Sequence, residues 1–360
     1  MRGLRGIACL LLSAALTANA AVAGPALLFE PKTGKVLYAE DPDTLWHPAS
    51  LTKIMTAYLT LDAFKSGRLQ PDQKLVVSEK AVLQDPSKIG LPVNAVITAD
   101  LALQAVVVKS ANDATVILAE AIAGSEEDFV KLMNDTARRL GMRKTVFVNT
   151  NGLPAPEQVT TARDLARLAV ALLRDFPDQN HLWAQTEVRI GRKLLRTHNG
   201  LLRNFEGADG IKTGFICDAG YNVVASATRD GRRLVAVVLG ETSGRERSVR
   251  AASMLEHGFM TYDWKQIFKT TTLDTLPVPD DAKGVSSMRQ AVHNWACNGR
   301  RVAGRPARRG KPAVAAKRVK NKAAAPAVAA PAAQSPTAAP AAIPAVPKKK
   351  SAAKADPKPQ

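Results

Sequence analysis

Paired metal ligands are missing from this sequence. Its five histidines, His47, His181, His198, His257 and His293, form no ligand motif with one another or with the three cysteines, so neither a metal nor a cofactor is expected. Internal repeats are absent as well, which excludes solenoid and propeller architectures. Beyond the N-terminal stretch, no apolar run approaches the ~20 residues needed to cross a bilayer. Aromatic residues make up only 5% of the chain, and acidic residues number 32 against 50 lysines and arginines. Even so, 46% of the 360 residues are hydrophobic, enough for a sizeable core in one large domain or two small ones.

The charge imbalance is local. From Gly299 to Gln360 there are fifteen lysines and arginines and one acidic residue, Asp356, so this tail carries +14 of the net +18. Built from Ala, Pro, Lys and Arg, it cannot bury enough apolar surface to fold, and a flexible, partly polyproline-II segment is expected over residues 299–360. Such a run suits a polyanion. At the other end, Arg2 and Arg5 precede an apolar run from Ile7 to Leu16 and small-residue sites at Ala18-Asn19-Ala20 and Ala21-Val22-Ala23. That order reads as a secretory signal peptide over residues 1–23, cleaved after Ala23, with the periplasm or the periphery of the inner membrane as destination. Export argues against nucleic acid as the partner, and leaves the tail as either a tether to anionic lipid or cell-wall surfaces or a solvating linker. Cys9 departs with the signal. Cys217 and Cys297 remain, and in an oxidising compartment the sequence leaves open both a bridge between them and two separate thiols.

Three short strings carry the chemistry: Ser50-Leu51-Thr52-Lys53, Ser110-Ala111-Asn112 and Lys212-Thr213-Gly214. Each alone is common by chance, as a helix start, a loop or a turn. Together they supply the parts of one acyl-transfer site. A serine hydroxyl is a poor nucleophile until a base takes its proton, and a lysine three residues on along a helix faces the same side. Ser110 and Asn112 add a hydroxyl for proton relay and an amide to hold a substrate backbone. Lys212 adds a fixed positive charge, Thr213 a hydroxyl, and Gly214 a backbone that substrate can approach closely.

The trio is the S-x-x-K, S-x-N, K-T-G signature of penicillin-binding proteins and serine β-lactamases. Its surroundings, among them His47-Pro48-Ala49-Ser50, Asp209-Gly210-Ile211-Lys212, Ala219-Gly220-Tyr221-Asn222, Asn151-Gly152-Leu153-Pro154 and Thr160-Thr161-Ala162-Arg163-Asp164, resemble the D-alanyl-D-alanine carboxypeptidases from about Pro25 to Phe259. The resemblance implies an α+β fold of the β-lactamase/DD-peptidase kind, with helices around a mainly antiparallel sheet. It implies Ser50 as nucleophile, Lys53 as base with its pKa lowered by burial or by Lys212, and Ser110 as relay. Asn112 would hold the substrate backbone, Lys212 and Thr213 the terminal carboxylate, and the N–H groups of Ser50 and Phe215 the oxyanion. Arg247 is a further candidate for carboxylate recognition, with Arg245 as its competitor. Peptidoglycan stem peptides would be the substrate and β-lactams covalent inhibitors.

Two departures from the family stand out. Phe215 takes the place where some relatives carry a histidine after K-T-G, and the second, all-β domain and amphipathic membrane helix found in many relatives have no counterpart after Tyr262. The expected layout is therefore a catalytic domain over residues 24–262, an extension over 263–298, and the basic tail. A β-lactamase would need a glutamate to activate the deacylating water, and Glu157, the one candidate, sits in a loop of carboxypeptidase type. Endopeptidase or transpeptidase action would use the same residues as carboxypeptidase action, and a non-catalytic wall-binding protein would have no need of a matched nucleophile and base. Locally, the patterns predict a hairpin over Leu27–Tyr38, a helix from Ser50 to Phe64, helices over about 99–123, 126–140 and 161–175, strands at Leu194–Thr197, Tyr221–Thr228 and Leu234–Gly240, and a last helix from Glu246 to Met260.

Overall fold

The computed structural model describes residues 24–268, 270–278, 283–292 and 297. The signal peptide and basic tail expected above lie outside them. The framework is a five-stranded antiparallel sheet. Its strands are β1 (Ala26–Phe29), β2 (Val36–Glu40), β7 (Ala208–Ile216), β8 (Gly220–Arg229) and β9 (Arg232–Glu241), in the spatial order β2-β1-β9-β8-β7. Two short hairpins, β3 (Lys74–Val76) with β4 (Val96–Thr98) and β5 (Glu187–Ile190) with β6 (Lys193–Arg196), stand apart from it.

Because successive strand residues point to opposite faces, a strand buried on both sides must be apolar throughout. The run Leu234-Val235-Ala236-Val237-Val238-Leu239 meets that demand. Leu234, Ala236 and Val238 join Leu28, Val223 and Ala225 in a core under α9 (Gly244–Phe268) that includes Ala251 and Leu255, while Val235, Val237 and Leu239 face the larger helical core. At the centre of that core lies α1 (Lys53–Lys65), buried on nearly every side. Its buried Thr56 donates to the Thr150 carbonyl at 2.6 Å and Thr60 to the Thr56 carbonyl at 2.8 Å, so neither hydroxyl is left unpaired. Around it pack α3 (Ala99–Val108), α4 (Asn112–Ala123), α5 (Glu126–Arg139) and α6 (Ala162–Asp175), with the short α2 (Glu79–Val82) against α4 and the single turns α7 (Asn180–Trp183) and α8 (Leu201–Asn204) beside β7. Thr98, Ser125 and Thr161 cap α3, α5 and α6 by accepting from Leu101, Asp128 and Asp164 N–H.

The predicted α+β class, the first hairpin, the β8–β9 pair and the helices at 126 and 161 are found within one or two residues. The helix expected over 99–123 is instead two helices broken at Lys109-Ser110-Ala111. Ser110 sits at φ +60°, Asn112 N–H donates to the Ser87 carbonyl at 2.7 Å, and the Asp113 carboxylate accepts from Ile89 and Gly90 N–H. The segment 87–90 thus diverts the backbone out of the helical path, which no apolar periodicity records. The last helix runs eight residues past Met260, so the expected boundary at residue 262 falls inside α9.

The extension is fastened to the catalytic body. Arg163 pairs with Asp43 at 2.8 and 2.7 Å and also donates to the carbonyls of Leu273, Leu276 and Pro277. Further on, the Met288 N–H donates to the Asp218 carbonyl at 2.9 Å, and Cys217 and Cys297 form a disulfide with Cα atoms 5.4 Å apart. The choice that the sequence left open between bridge and free thiols is settled by tertiary proximity.

Candidate active site

Three segments converge on one cleft of about 460 Å³. The first is the tight turn Ala49–Thr52 that leads into α1, so Ser50 lies one turn ahead of the α-helix proper, not at its first residue. The second is the break between α3 and α4, carrying Ser110. The third is β7, whose Thr213, Gly214, Phe215 and Ile216 line the cleft, with the buried Lys212 just before them donating to the Thr213 carbonyl at 3.1 Å.

Glycine is required where these segments meet. A Cβ on Gly214 would stand 3.0 Å from the Pro48 carbonyl oxygen and 3.1 Å from Ser50 N, so only glycine lets the strand lie against the serine turn. From the other side Gly152, at φ +86°, brings its loop so close that a Cβ would overlap the Ala49 carbonyl. Asn222, paired with Gly214 across the sheet, donates to the His47 and Pro48 carbonyls at 3.0 and 3.3 Å and accepts from Gly240 N–H, fixing the segment that enters the turn. Two non-glycine residues, Ala49 at φ +49° and Ser110 at φ +60°, hold uncommon left-handed conformations here, the sort of local cost that accumulates at functional sites.

Lys53 is 1% exposed. Its Nζ donates to Ser50 Oγ at 3.0 Å, to Asn112 Oδ1 at 2.7 Å and to the Asn151 carbonyl. Burial, followed by the positive charge of Lys212, holds its pKa well below the ordinary lysine value, opposed only by Asp113. An amine under that pressure can be neutral and accept a proton from the serine it touches. Asn112 Nδ2 gives one proton to the Asp85 carbonyl at 2.7 Å, and an amide nitrogen carries two, so one is left to point elsewhere. Ser110 Oγ is buried and has no partner among the described residues.

The cationic side of the cleft is denser than a single fixed charge. Burial and then the neighbouring Arg247 bring Lys212 down to about 7, so it holds its proton far less tightly than an ordinary lysine. Arg247 is 7% exposed, its Nε has no partner among the described residues, and burial lowers it to about 10. Arg245, its competitor, is exposed and does not line the cleft. His198 lines the cleft too, and burial together with Lys109, Lys212 and Arg247 lowers its pKa. Phe215 and Tyr221 also line the cleft, their rings tilted against each other with centroids 4.2 Å apart and the Arg247 guanidinium 6.0 Å from the tyrosine ring. Sequence reasoning assigned no site role to His198, Tyr221 or Asn151. A lone histidine carries no signal of its own, whereas Tyr221 and Asn151 fell within strings already singled out.

Glu157 is exposed and is not among the residues lining the cleft. A larger hollow, of about 850 Å³, opens at the far end of β8 near Arg232 and Asp274 and contains none of the three strings.

A serine contacted by a buried lysine of depressed pKa, with an unpaired hydroxyl and clustered cations nearby, is the set of groups that acyl transfer through a serine requires. The chain belongs to the D-alanyl-D-alanine carboxypeptidase family, whose model matches residues 13–243. It is 37% identical to the D-alanyl-D-alanine carboxypeptidase DacC of Escherichia coli over 268 residues, which are 72% of this chain and 64% of that one. Among solved structures, penicillin-binding protein 5 of Haemophilus influenzae superposes with a TM-score of 0.64 at 35% identity, covering 66% of this chain and 71% of the other. Penicillin-binding protein D2 of Listeria monocytogenes, in a cefotaxime-bound form, superposes with a TM-score of 0.60 at 32% identity, over 66% and 97%. The chain spans less than two thirds of the length of the first curated relatives it matches.

Proposed function

We propose that the protein is a serine-type D-alanyl-D-alanine carboxypeptidase that removes the terminal D-alanine from peptidoglycan stem peptides. The observation that carries this reading is the 3.0 Å contact of Ser50 Oγ with a fully buried Lys53 whose pKa is depressed. Lys53 takes the serine proton as Oγ attacks the carbonyl of the penultimate D-alanine. Negative charge developing on that carbonyl oxygen is met by the N–H groups of Ser50 and Phe215, a single such donor being worth about 3 kcal/mol. Ser110 passes a proton to the departing D-alanine amine, the C–N bond breaks, and an ester on Ser50 remains for water to hydrolyse. The terminal carboxylate enters among Lys212, Thr213 and Arg247, where it restores full protonation to Lys212, while Asn112 holds the peptide backbone with its remaining amide proton.

β-Lactams, which imitate the D-alanyl-D-alanine terminus, acylate the same serine. A β-lactamase reading is disfavoured because Glu157 lies on the surface outside the cleft. Endopeptidase action on D-alanyl cross-links is the second reading, since it would use the same residues and the same chemistry. Residues 1–23 export the chain to the periplasm, and the +14 tail holds it at an anionic membrane or wall surface.

Incubation with a pentapeptide and with a cross-linked muropeptide tests the substrate. Release of D-alanine from the first, with little cutting of the second, is expected; preferential cross-link cleavage reverses the assignment. Penicillin should raise the mass by one intact drug, and Ser50→Ala should abolish that adduct. Labelling of Ser50→Ala at the wild-type rate would remove Ser50 from its role.

A further inference from the structure

The turn Cys217-Asp218-Ala219 joins β7 to β8 immediately after Ile216, which lines the cleft beside Phe215. Its position sets where the carboxyl end of the K-T-G strand lies. All three turn residues are gripped from outside the hairpin. Cys217 is bonded to Cys297. The Asp218 carboxylate accepts from Arg289 at 2.5 and 3.1 Å and from Ser287 Oγ at 2.8 Å, and its carbonyl accepts from Met288 N–H at 2.9 Å. The Ala219 carbonyl accepts from Trp46 Nε1 at 2.9 Å, and Trp46 stands four residues ahead of Ser50.

Two of these three grips come from residues 287–297, far along the chain from the strand they hold. They are unequal in strength. The Asp218–Arg289 pair has side chains 30% and 51% exposed, a setting in which ion pairs contribute little. Met288 and Val292 add buried apolar contact to the same segment. Arg163 holds the start of the extension, at residues 273–277, whereas at its far end the covalent bond, between residues 80 apart in the chain, is the one tie to the turn that does not exchange with solvent contacts.

We propose that the Cys217–Cys297 disulfide is a redox-dependent positioning device, docking the C-terminal extension onto the β7–β8 turn so that Phe215 and Ile216 hold the geometry the cleft requires. The inference rests on the functional reading above. Reduction by a dithiol transfers two electrons and two protons, giving two thiols on the protein and a cyclic disulfide on the reductant. Reoxidation by glutathione disulfide reverses this through a mixed disulfide and releases two glutathione thiols. The bridge is open in a reducing cytoplasm and closes in an oxidising compartment, so the site reaches full competence only after export.

The test follows acylation of Ser50 by penicillin, and D-alanine release from a pentapeptide, on the chain from Gly24 to Gln360. The oxidised, dithiothreitol-reduced and glutathione-reoxidised forms are compared after their thiol state is verified by mass. Reduction is expected to slow acylation on the order of tenfold, the scale of a sub-ångström misplacement of reacting groups. The loss should fall on kcat more than on KM, and reoxidation should restore it. Cys297→Ser should behave as the reduced form and be unresponsive to dithiothreitol. Arg289→Ala should lower the rate in the Cys297→Ser background and leave the oxidised chain near wild type. Equal rates in the oxidised and reduced forms overturn the proposal while leaving the catalytic assignment intact. A reduced form that has lost its cooperative melting transition also overturns it, in favour of a purely stabilising bond. An oxidised chain that forms no adduct removes the functional reading and this inference together.

Discussion

Gly214 lies against the backbone of Ser50 so closely that a Cβ at position 214 would come within 3.1 Å of Ser50 N and 3.2 Å of Leu51 N. The contact sets the K-T-G strand against the nucleophile turn, bringing a residue 164 positions later in the chain to the one that reacts. Backbone atoms stand on both sides of the contact, so neither can swing aside as a flexible side chain would. Gly214→Ala should therefore push the strand outward by a few tenths of an ångström and reduce β-lactam acylation on the order of tenfold. Stopped-flow acylation with a chromogenic β-lactam, beside a melting curve showing that the fold survives, checks this; a rate within twofold of wild type, taken as about the error of such a comparison, contradicts it.

Lys53 and Lys212 separate under the same substitution. Arginine keeps charge and donors but cannot give up its proton in a protein. Lys53→Arg should thus lose nearly all acylation, whereas Lys212→Arg should keep measurable acylation with weaker substrate affinity. Acylation at wild-type rate in Lys53→Arg would place the general base elsewhere, with Ser110 the first to examine.

The pH dependence follows from two signs. Lys53 serves as base only when neutral, so activity rises with pH through its depressed pKa; Lys212 grips a carboxylate only when protonated, so binding weakens as pH climbs past about 7. A bell-shaped kcat/KM is expected, reporting the free enzyme. The alkaline limb of kcat should lie higher, because bound carboxylate keeps Lys212 charged. Coincident alkaline limbs would show that Lys212 does not sense the substrate.

The same burial makes a stability prediction. Lys212 binds its proton less tightly in the fold than in the unfolded chain, whose lysines titrate near ~10.4. Between about 7 and that value the unfolded state holds more protons, so this group's contribution to stability rises with pH. Lys212→Met should remove the penalty and raise Tm at neutral pH by a few degrees, roughly the effect of 1 kcal/mol, while weakening substrate binding. A lower Tm in the methionine variant would show that Lys212 is stabilised by groups other than those described.

Arg163 and Asp43 are 4% and 5% exposed in their side chains, and the arginine also ties down three carbonyls of the extension. Removing one member of a buried pair leaves the other charge uncompensated, at a cost of about 3–5 kcal/mol. Arg163→Ala should shift the denaturant midpoint accordingly and expose residues 270–278 to hydrogen exchange. A shift below about 1 kcal/mol, the size typical of surface pairs, would contradict the role assigned to it.

If the basic tail is a tether, deleting residues 299–360 should move protein from the membrane and wall fraction to the soluble fraction at low salt, with peptidase turnover unchanged. Unchanged partitioning would leave the tail as a linker.

Much of this protein was legible along the chain because its signals are local. The strings at Ser50, Ser110 and Lys212 identify their own chemistry, and the apolar or alternating runs at Tyr221–Thr228 and Leu234–Gly240 mark the strands β8 and β9. Arg247 and Arg245 could not be told apart at that level; burial of one and exposure of the other decided between them. Tertiary structure alone broke the helix at Ser110, since the hydrogen bonds that divert it come from Ser87, Ile89 and Gly90, more than twenty residues earlier. It also joined Cys217 to Cys297, brought His198 into the cleft, and lowered the proton affinity of Lys212 by burying it beside Arg247. A sequence states which groups are available. Distance, burial and the charges that surround a group exist only once remote segments are packed together, and those set its pKa and its partners.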